Sequence, residues 1–197
     1  PGILSVLPGT GAITGDALVN HPGVRMVSFT GGTATGRRIA EAAARRLIPV
    51  ALELGGKSPH VIFDDARLDA AVDGVVDGIF EGSGQSCVAG SRLFVQRKVL
   101  EPVVRALVDR ADRLRVDLPD APDAQMGPVA GFRHRQRIES LVQSARDEGG
   151  EILAGGARPQ EGRLAAGAFY RPTVIAGLDN RATAVREEIF GPVLCVL

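Results

Sequence analysis

A cysteine at the end of a loop of small residues is the side chain of this sequence best suited to covalent chemistry. Cys87 lies in the segment 81–92 (EGSGQSCVAGSR), where glycine and serine precede it. A thiol attacks a carbonyl as its thiolate, which backbone N–H groups or the positive end of a helix stabilise. Glycines also let the chain approach backbone or ligand closely. Residue types alone leave two interpretations open, a nucleophile and a buried, inert cysteine in an ordinary loop at the end of a helix.

A second candidate for chemistry is an acid set among apolar residues. Glu53 lies between Leu52 and Leu54, in a strand-like run that stops at Gly55-Gly56. A carboxylate that is used among apolar neighbours suits a general base. Because side chains alternate along a strand, the same residue would also be satisfied by pointing to water on the outer face. The sequence leaves both interpretations open.

A glycine-rich turn between a strand and a helix is the third candidate. The strand predicted at residues 25–30 runs into the turn Gly31–Gly36, and an Ala-rich helix is predicted from Arg37 to Leu47. Free N–H groups at a helix N-terminus favour a phosphate, and glycines let it reach the backbone. The spacing is neither that of a P-loop nor that of the usual dinucleotide fingerprint. A phosphate site and a plain tight turn therefore both remain open.

The last candidate is the pair of acids in the segment 186–192 (REEIFGP). Glu187 and Glu188 stand beside an aromatic residue and a chain-breaking Gly-Pro. In isolation this pattern is typical of a surface turn.

Alternating strands and helices must position these residues. The alternation predicts an α/β fold with a largely parallel sheet, in which the helix at 68–80 leads directly into the Cys87 loop. The predicted strands are 3–7, 25–30, 50–54, 57–63, 91–96, 151–154, 169–175 and 192–197, and the predicted helices are 16–20, 37–47, 99–114 and 132–148. The helix that leads into the Cys87 loop is predicted with Asp64-Asp65 as its cap and with an apolar face from Leu68 to Phe80.

Composition excludes several classes of partner. The 197 residues carry 23 basic and 23 acidic side chains without a basic stripe, so nothing favours nucleic acid or an anionic membrane surface. The apolar runs are too short to span a membrane, and we expect no secretory segment. The two cysteines, Cys87 and Cys195, fit a reducing compartment better than a disulfide framework. We therefore expect two thiols in a cytoplasmic protein without a metal site.

The two ends of the sequence are typical of a fragment. The chain opens on Pro1 and an apolar stretch, and it ends on the strand-like Pro192–Leu197 without a polar tail. Chain termini are normally polar and lie at the surface. We expect the 197-residue chain alone to be inactive or poorly folded, and turnover by the purified chain would refute this expectation.

Taken together, four motifs resemble the aldehyde dehydrogenase superfamily. They are Phe29–Thr33 (FTGGT) with Gly36, Leu52–Pro59 (LELGGKSP), Gly84–Cys87 (GQSC) and Glu187–Pro192 (EEIFGP), and both their order and their spacing match. The motifs are jointly very specific, and the resemblance covers essentially the whole chain.

The resemblance implies a covalent oxidation of an aldehyde to a carboxylic acid. Cys87 corresponds to the nucleophile, and its own backbone N–H would hold part of the oxyanion. Glu53 corresponds to the base that activates water for hydrolysis of the thioester, and the resemblance also allows it to help deprotonate the thiol. Family members that pass the acyl group to coenzyme A generally lack this acid, so the resemblance favours the hydrolytic branch.

The resemblance also implies a nicotinamide cofactor, NAD or NADP. The glycine turn is similar to the one that meets the pyrophosphate, and Glu188 to the acid that holds the nicotinamide ribose. Phe190 matches an aromatic that borders the nicotinamide, and the Leu54 carbonyl matches one that meets the carboxamide. Many relatives have serine at position 32 and an acid at position 34, so the choice between NAD and NADP stays open. The cofactor-binding residues implied are Gly31, Gly32, Gly36, Leu54, Glu188 and Phe190.

The resemblance divides the chain at residue 54. Residues 1–54 resemble the C-terminal portion of a Rossmann-like cofactor-binding domain, and residues 55–197 resemble the catalytic thiol domain, truncated at its C-terminal end. The family's oxyanion-hole asparagine and adenine-ribose lysine would lie upstream of Pro1. By family, the full-length protein is expected to be a homo-oligomer, a dimer or a tetramer.

Two other functions remain as alternatives. A truncated or degenerate relative would have a non-enzymatic binding or structural role, but Cys87 and Glu53 are both intact. A cysteine hydrolase would need one of the three histidines as its base, and the sequence places none of them beside Cys87.

Overall fold

The computed structural model describes residues 2–197 and divides the chain into two compact units. Unit 1 is Pro1–Gly55 and unit 2 is Gly56–Leu197. In the described chain, none of the helices is both long and apolar enough to cross a membrane.

Unit 1 is built around one strand–helix–strand crossover. A π-helical turn, Gly11–Gly15, leads into the short helix α1 (Asp16–Asn20). Strands β1 (Val27–Gly31) and β2 (Val50–Leu54) pair in parallel, in register from Val27 opposite Val50 to Gly31 opposite Leu54. Helix α2 (Thr33–Arg45) connects them, as parallel neighbours require.

Helix α2 begins four residues before the predicted start at Arg37. Gly32 is its N-cap, so Gly36 lies inside the helix rather than in the turn. A Cβ at Gly36 would lie 2.4 Å from Cδ2 of Leu54, which shows that the missing side chain lets the helix pack on β2. The predicted boundary was wrong because this glycine serves helix–strand packing.

Unit 2 contains a five-stranded sheet in the order β3-β4-β7-β6-β5. All neighbouring strands are parallel except β5 and β6, so the prediction of a largely parallel sheet is confirmed. Its strands are β3 (Pro59–Ile62), β4 (Arg92–Val95), β5 (Glu151–Ala154), β6 (Thr173–Ala176) and β7 (Val193–Val196). Its helices are α3 (Leu68–Phe80), α4 (Leu100–Arg113), α5 (Phe132–Asp147) and α6 (Thr183–Arg186).

The core of unit 2 lies on both faces of this sheet. Along β7, Leu194 and Val196 join one apolar cluster with residues of α3 and α4. Val193 and Cys195 join a second cluster with residues of α5 and α6. Because side chains alternate along a strand, the two clusters cover opposite faces, as is usual for a parallel sheet.

The strand predicted at residues 3–7 is absent. Ile3, Leu4 and Val6 are exposed, and residues 2–10 pair with no strand in the described chain. An apolar stretch forms a strand only when a neighbouring strand satisfies its backbone groups.

Candidate active site

The loop that carries Cys87 leaves α3 through a left-handed backbone turn. Gly82, Ser83 and Gly84 have φ values of 57°, 60° and 68°. This region suits glycine but strains Ser83, which is buried and donates its hydroxyl proton to the Gly127 carbonyl over 2.9 Å. A Cβ at Gly84 would lie 2.2 Å from the Gly191 carbonyl oxygen, so the chain there must be glycine.

Further contacts hold the loop on both sides of the thiol. Before it, Oε1 of Gln85 accepts the Ala130 N–H over 2.7 Å. After it, the Gly90 N–H donates to the Gly78 carbonyl of α3 over 3.0 Å. The loop is therefore fixed to the scaffold at both ends.

His60 of β3 fills the space beside the end of this loop. Cβ atoms added at Gly78 and Gly90 would lie 2.7 Å and 1.9 Å from its ring. Its Nε2 is buried without a hydrogen-bond partner in the described chain, and burial lowers the pKa of the imidazole. His60 packs against the loop as a neutral ring.

Cys87 itself is exposed, whereas Cys195 is buried. Both are free thiols, as predicted. Among the described residues the Cys87 N–H has no hydrogen-bond acceptor, so it is free to meet a negatively charged oxygen. Burial raises the pKa of the Cys195 thiol. Cys87 is therefore not the buried cysteine of the second interpretation, and the buried thiol of the chain is Cys195.

Gly56 joins the Cys87 loop to the acidic segment. A Cβ at Gly56 would lie 2.7 Å from the Cys87 carbonyl oxygen. The Gly56 N–H donates to Oε1 of Glu188 over 3.1 Å. One glycine thus touches the thiol residue and orients the half-buried carboxylate.

Helix α5 holds the backbone of the same acidic segment. His134 donates from Nε2 to the Phe190 carbonyl over 2.6 Å, and Arg137 donates to the Glu188 carbonyl over 3.1 Å. Phe190 has a φ of 55°, an uncommon conformation for a residue with a large side chain, and its ring meets His134 edge-on. These contacts keep the phenyl ring partly exposed.

The remaining candidates lie in unit 1. Gly31 and Gly32 precede the first turn of α2, whose N-cap makes no side-chain hydrogen bond, so backbone N–H groups remain available there. Glu53 lies on the exposed side of β2, between half-buried Leu52 and Leu54. The outer-face orientation left open by the sequence is the one observed.

Unit 2 thus brings together Cys87, Glu188 and Phe190, while Glu53, Leu54 and the glycine turn belong to unit 1. Sequence reasoning missed the residues that hold the site together, because they act through backbone contacts over long sequence separations. These residues are Gly56, Ser83, Gln85, His134 and Arg137. No group of three or more potential metal ligands occurs in the described part of the chain.

A family comparison now identifies the chain. The protein-family model described as "Aldehyde dehydrogenase family" matches residues 1–197. The chain belongs to the aldehyde dehydrogenase family. Its fold agrees with this membership, as solved structures of family members superimpose on nearly the whole chain.

Named relatives extend well beyond this chain. The 5-carboxymethyl-2-hydroxymuconate semialdehyde dehydrogenase of Escherichia coli is 45% identical over 199 residues, which span 100% of this chain and 42% of the relative. Betaine aldehyde dehydrogenase of Staphylococcus aureus, solved with NAD+, is 43% identical with a TM-score of 0.94, covering 96% of this chain and 38% of that one. An aldehyde dehydrogenase from Bacillus cereus, solved as a point mutant, is 41% identical with a TM-score of 0.93, covering 97% of this chain and 38% of that one.

Proposed function

We propose that the protein carrying this chain oxidises an aldehyde to a carboxylic acid with NAD(P)+, through a covalent intermediate on Cys87. The observation that carries the proposal is the exposed Cys87 thiol with a free backbone N–H, joined through Gly56 to the Glu188 carboxylate. The fixed backbone holds the sulfur and the N–H before any substrate binds, which is what covalent catalysis on a carbonyl requires.

Cys87 would act first. Its thiolate adds to the aldehyde carbon, and the carbonyl oxygen becomes an oxyanion that the Cys87 N–H helps to hold. Loss of hydride from that carbon converts the adduct into a thioester on the same sulfur. The nicotinamide, when bound, supplies the hydride acceptor.

Glu53 would act second, as the base for hydrolysis. Its carboxylate takes a proton from water, the resulting hydroxide attacks the thioester carbon, and the C–S bond breaks to release the acid and the Cys87 thiolate. The exposed position of Glu53 on β2 supports contact with water. Its presence supports hydrolysis rather than acyl transfer to coenzyme A.

The residues present fit a dinucleotide in two places. In unit 1, the uncapped first turn of α2 behind Gly31 and Gly32 offers N–H groups to a phosphate, while Gly36 brings the helix close to Leu54. In unit 2, Glu188 offers a fixed carboxylate to ribose hydroxyls, and the partly exposed Phe190 ring offers an apolar face to a nicotinamide.

We extend the proposal to the domain organisation, the oligomeric state and the substrate class of the whole protein. Residues 1–54 would belong to the cofactor-binding domain and residues 55–197 to the catalytic domain of a homo-oligomeric enzyme. The similar enzymes named above are a semialdehyde dehydrogenase and a betaine aldehyde dehydrogenase, which supports a small aldehyde as the substrate.

Replacement of Cys87 tests this function. In the protein that carries the chain, Cys87→Ala should lower the rate of NAD(P)H formation from an aldehyde by about three orders of magnitude, because no thioester can form. Cys195→Ala is the matched control, since that thiol is buried in the core, and it should keep most of the activity. Equal rates for Cys87→Ala and the wild type would exclude the proposal.

A further inference from the structure

A polar cavity in unit 2 has no role in the chemistry described so far. It measures about 370 Å³ and is lined by helix α5 and by residues of the segment 156–170, between β5 and β6. Its charged lining consists of three arginines and one acid, which are Arg135, Arg146, Arg158 and Glu139. Because the whole chain carries equal numbers of basic and acidic side chains, this excess of positive charge is a local feature.

Helix α5 places the charged groups of its cavity wall on one side. Arg135, Glu139 and Arg146 recur at spacings of four and seven residues, so they share one face of the helix. His134 and Arg137, which hold the acidic segment, fall on the opposite side. The cavity is therefore separate from the contacts between α5 and the acidic segment.

Arg135 supplies a buried charge that the protein satisfies only in part. Only 6% of the residue is exposed, and its Nη1 donates to the Gly167 carbonyl over 2.7 Å. Oε1 of Glu139 lies 3.2 Å from Nε, yet Nε has no hydrogen-bond partner among residues 2–197. A guanidinium carries five N–H donors, and a buried donor without a partner costs free energy. Arg135 therefore needs a further acceptor, and the cavity has room for one.

A glycine turn fixes Arg146 at the same cavity. Its Nη2 donates to the Gly156 carbonyl over 2.8 Å, and the Gly156 N–H donates to Oγ1 of Thr173 over 2.9 Å. Gly155 and Gly156 have φ values of 66° and 71°, and a Cβ at Gly156 would lie 2.7 Å from Nη2 of Arg146. The backbone thus holds this guanidinium in place and uses one of its N–H groups.

The charge pattern selects the class of ligand. Neither Arg146 nor Arg158 forms an ion pair within residues 2–197. Guanidinium groups match phosphate and carboxylate oxygens with paired N–H donors. One arginine satisfies a carboxylate, whereas a phosphate group offers three oxygens and nearly two negative charges. The amides of Gln136 and Gln160 line the same cavity and add neutral donors.

We propose that this cavity binds the phosphate group of a small phosphorylated molecule, held by Arg135, Arg146 and Arg158. Arg135 and Arg146 form the fixed wall of the site, and Arg158 adds a third charge from the loop. The site goes beyond the function proposed above, because it uses neither Cys87 nor the residues assigned to the cofactor.

The test measures binding of inorganic phosphate by calorimetry, at constant ionic strength, in the protein that carries this chain. Saturating NAD+ is present throughout, so that the glycine turn of unit 1 does not contribute. Arg158→Gln should raise the dissociation constant about tenfold, without a change in melting temperature, because this side chain is exposed. Arg133→Gln is the matched control, since it removes the same charge from an exposed residue of α5 that does not line the cavity. It should bind phosphate as the wild type does.

Acetate at the same ionic strength distinguishes a phosphate site from a carboxylate site. It should bind at least about tenfold more weakly than phosphate, because it offers one charge and two oxygens. Equal binding of the two anions would overturn the assignment to phosphate. A wild type that binds no phosphate, or an Arg158→Gln protein whose loss does not exceed that of Arg133→Gln, would overturn the site itself. None of these outcomes bears on the proposed function, which Cys87→Ala tests separately.

Discussion

Among the residues proposed to react, Glu53 is the exposed acid of strand β2. It alternates with Leu52 and Leu54 on the exposed side of β2. Water therefore reaches its carboxylate directly, which suits the role proposed for it in the second half of the reaction. The first half is proposed to depend on Cys87.

Glu53→Gln should separate these two halves. The amide cannot take a proton from water, so the thioester should form at a normal rate and then accumulate. A first-turnover burst of reduced cofactor should be followed by a steady rate that is about 100-fold lower. Rapid-mixing absorbance measurements would show both phases. Glu41→Gln, which changes an exposed acid of α2 in the same unit, should leave them unaltered. An unchanged steady rate in Glu53→Gln would exclude this residue as the base.

At the scale of elements, the site depends on a glycine between β2 and β3. Gly56→Ala would place a Cβ 2.7 Å from the Cys87 carbonyl oxygen, which is backbone and can move only with its loop. The loop should therefore shift, Glu188 should lose its oriented donor, and the protein should lose about 1–3 kcal/mol of stability. Both aldehyde oxidation and NAD+ binding should weaken.

Gly74→Ala is the matched control for this substitution. Gly74 lies within α3, and a Cβ there would meet no atom within 4 Å. Alanine in a helix interior stabilises it by about 1 kcal/mol over glycine. Thermal unfolding should therefore show opposite shifts for the two variants, with activity lost only in Gly56→Ala. A Gly56→Ala protein with normal activity would show that the close contact is dispensable.

The same elements show which parts of the fold and of the site can be predicted from the sequence. Helices α4 and α5 were predicted to within one residue at each end, because each has a regular apolar face and a clear end. The end of α3 was also predicted, but its cap was predicted at Asp64-Asp65, whereas its N-cap is Arg67. The start of α2 was wrong, because Gly36 serves packing against Leu54 and not the turn. The contacts that join Gly56 to Glu188 link residues 132 positions apart, and no local pattern carries that information.

At the scale of the whole chain, the two units differ in how much apolar surface they bury. Within residues 2–55, Ala43 is the only buried hydrophobic side chain. Unit 2 buries large side chains on both faces of its sheet, including Phe80, Phe169 and Tyr170. Hydrophobic burial is the dominant favourable term in folding, so local opening of unit 1 should cost far less free energy than opening of unit 2.

Limited trypsin digestion of the 197-residue chain should reveal this difference. Exposed arginines occur on α2, at Arg37 and Arg45, and on α4, at Arg105 and Arg113. All four side chains are accessible, but trypsin cuts a helix only after it opens. Helix α4 is held by its buried side chains Val103 and Leu107, so it should open less often than α2. Cleavage at the α2 sites should therefore precede cleavage at the α4 sites. Mass spectrometry of timed samples would establish the order. Simultaneous cleavage on both helices would mean that the two units open together, and the contrast in burial would then not control their stability.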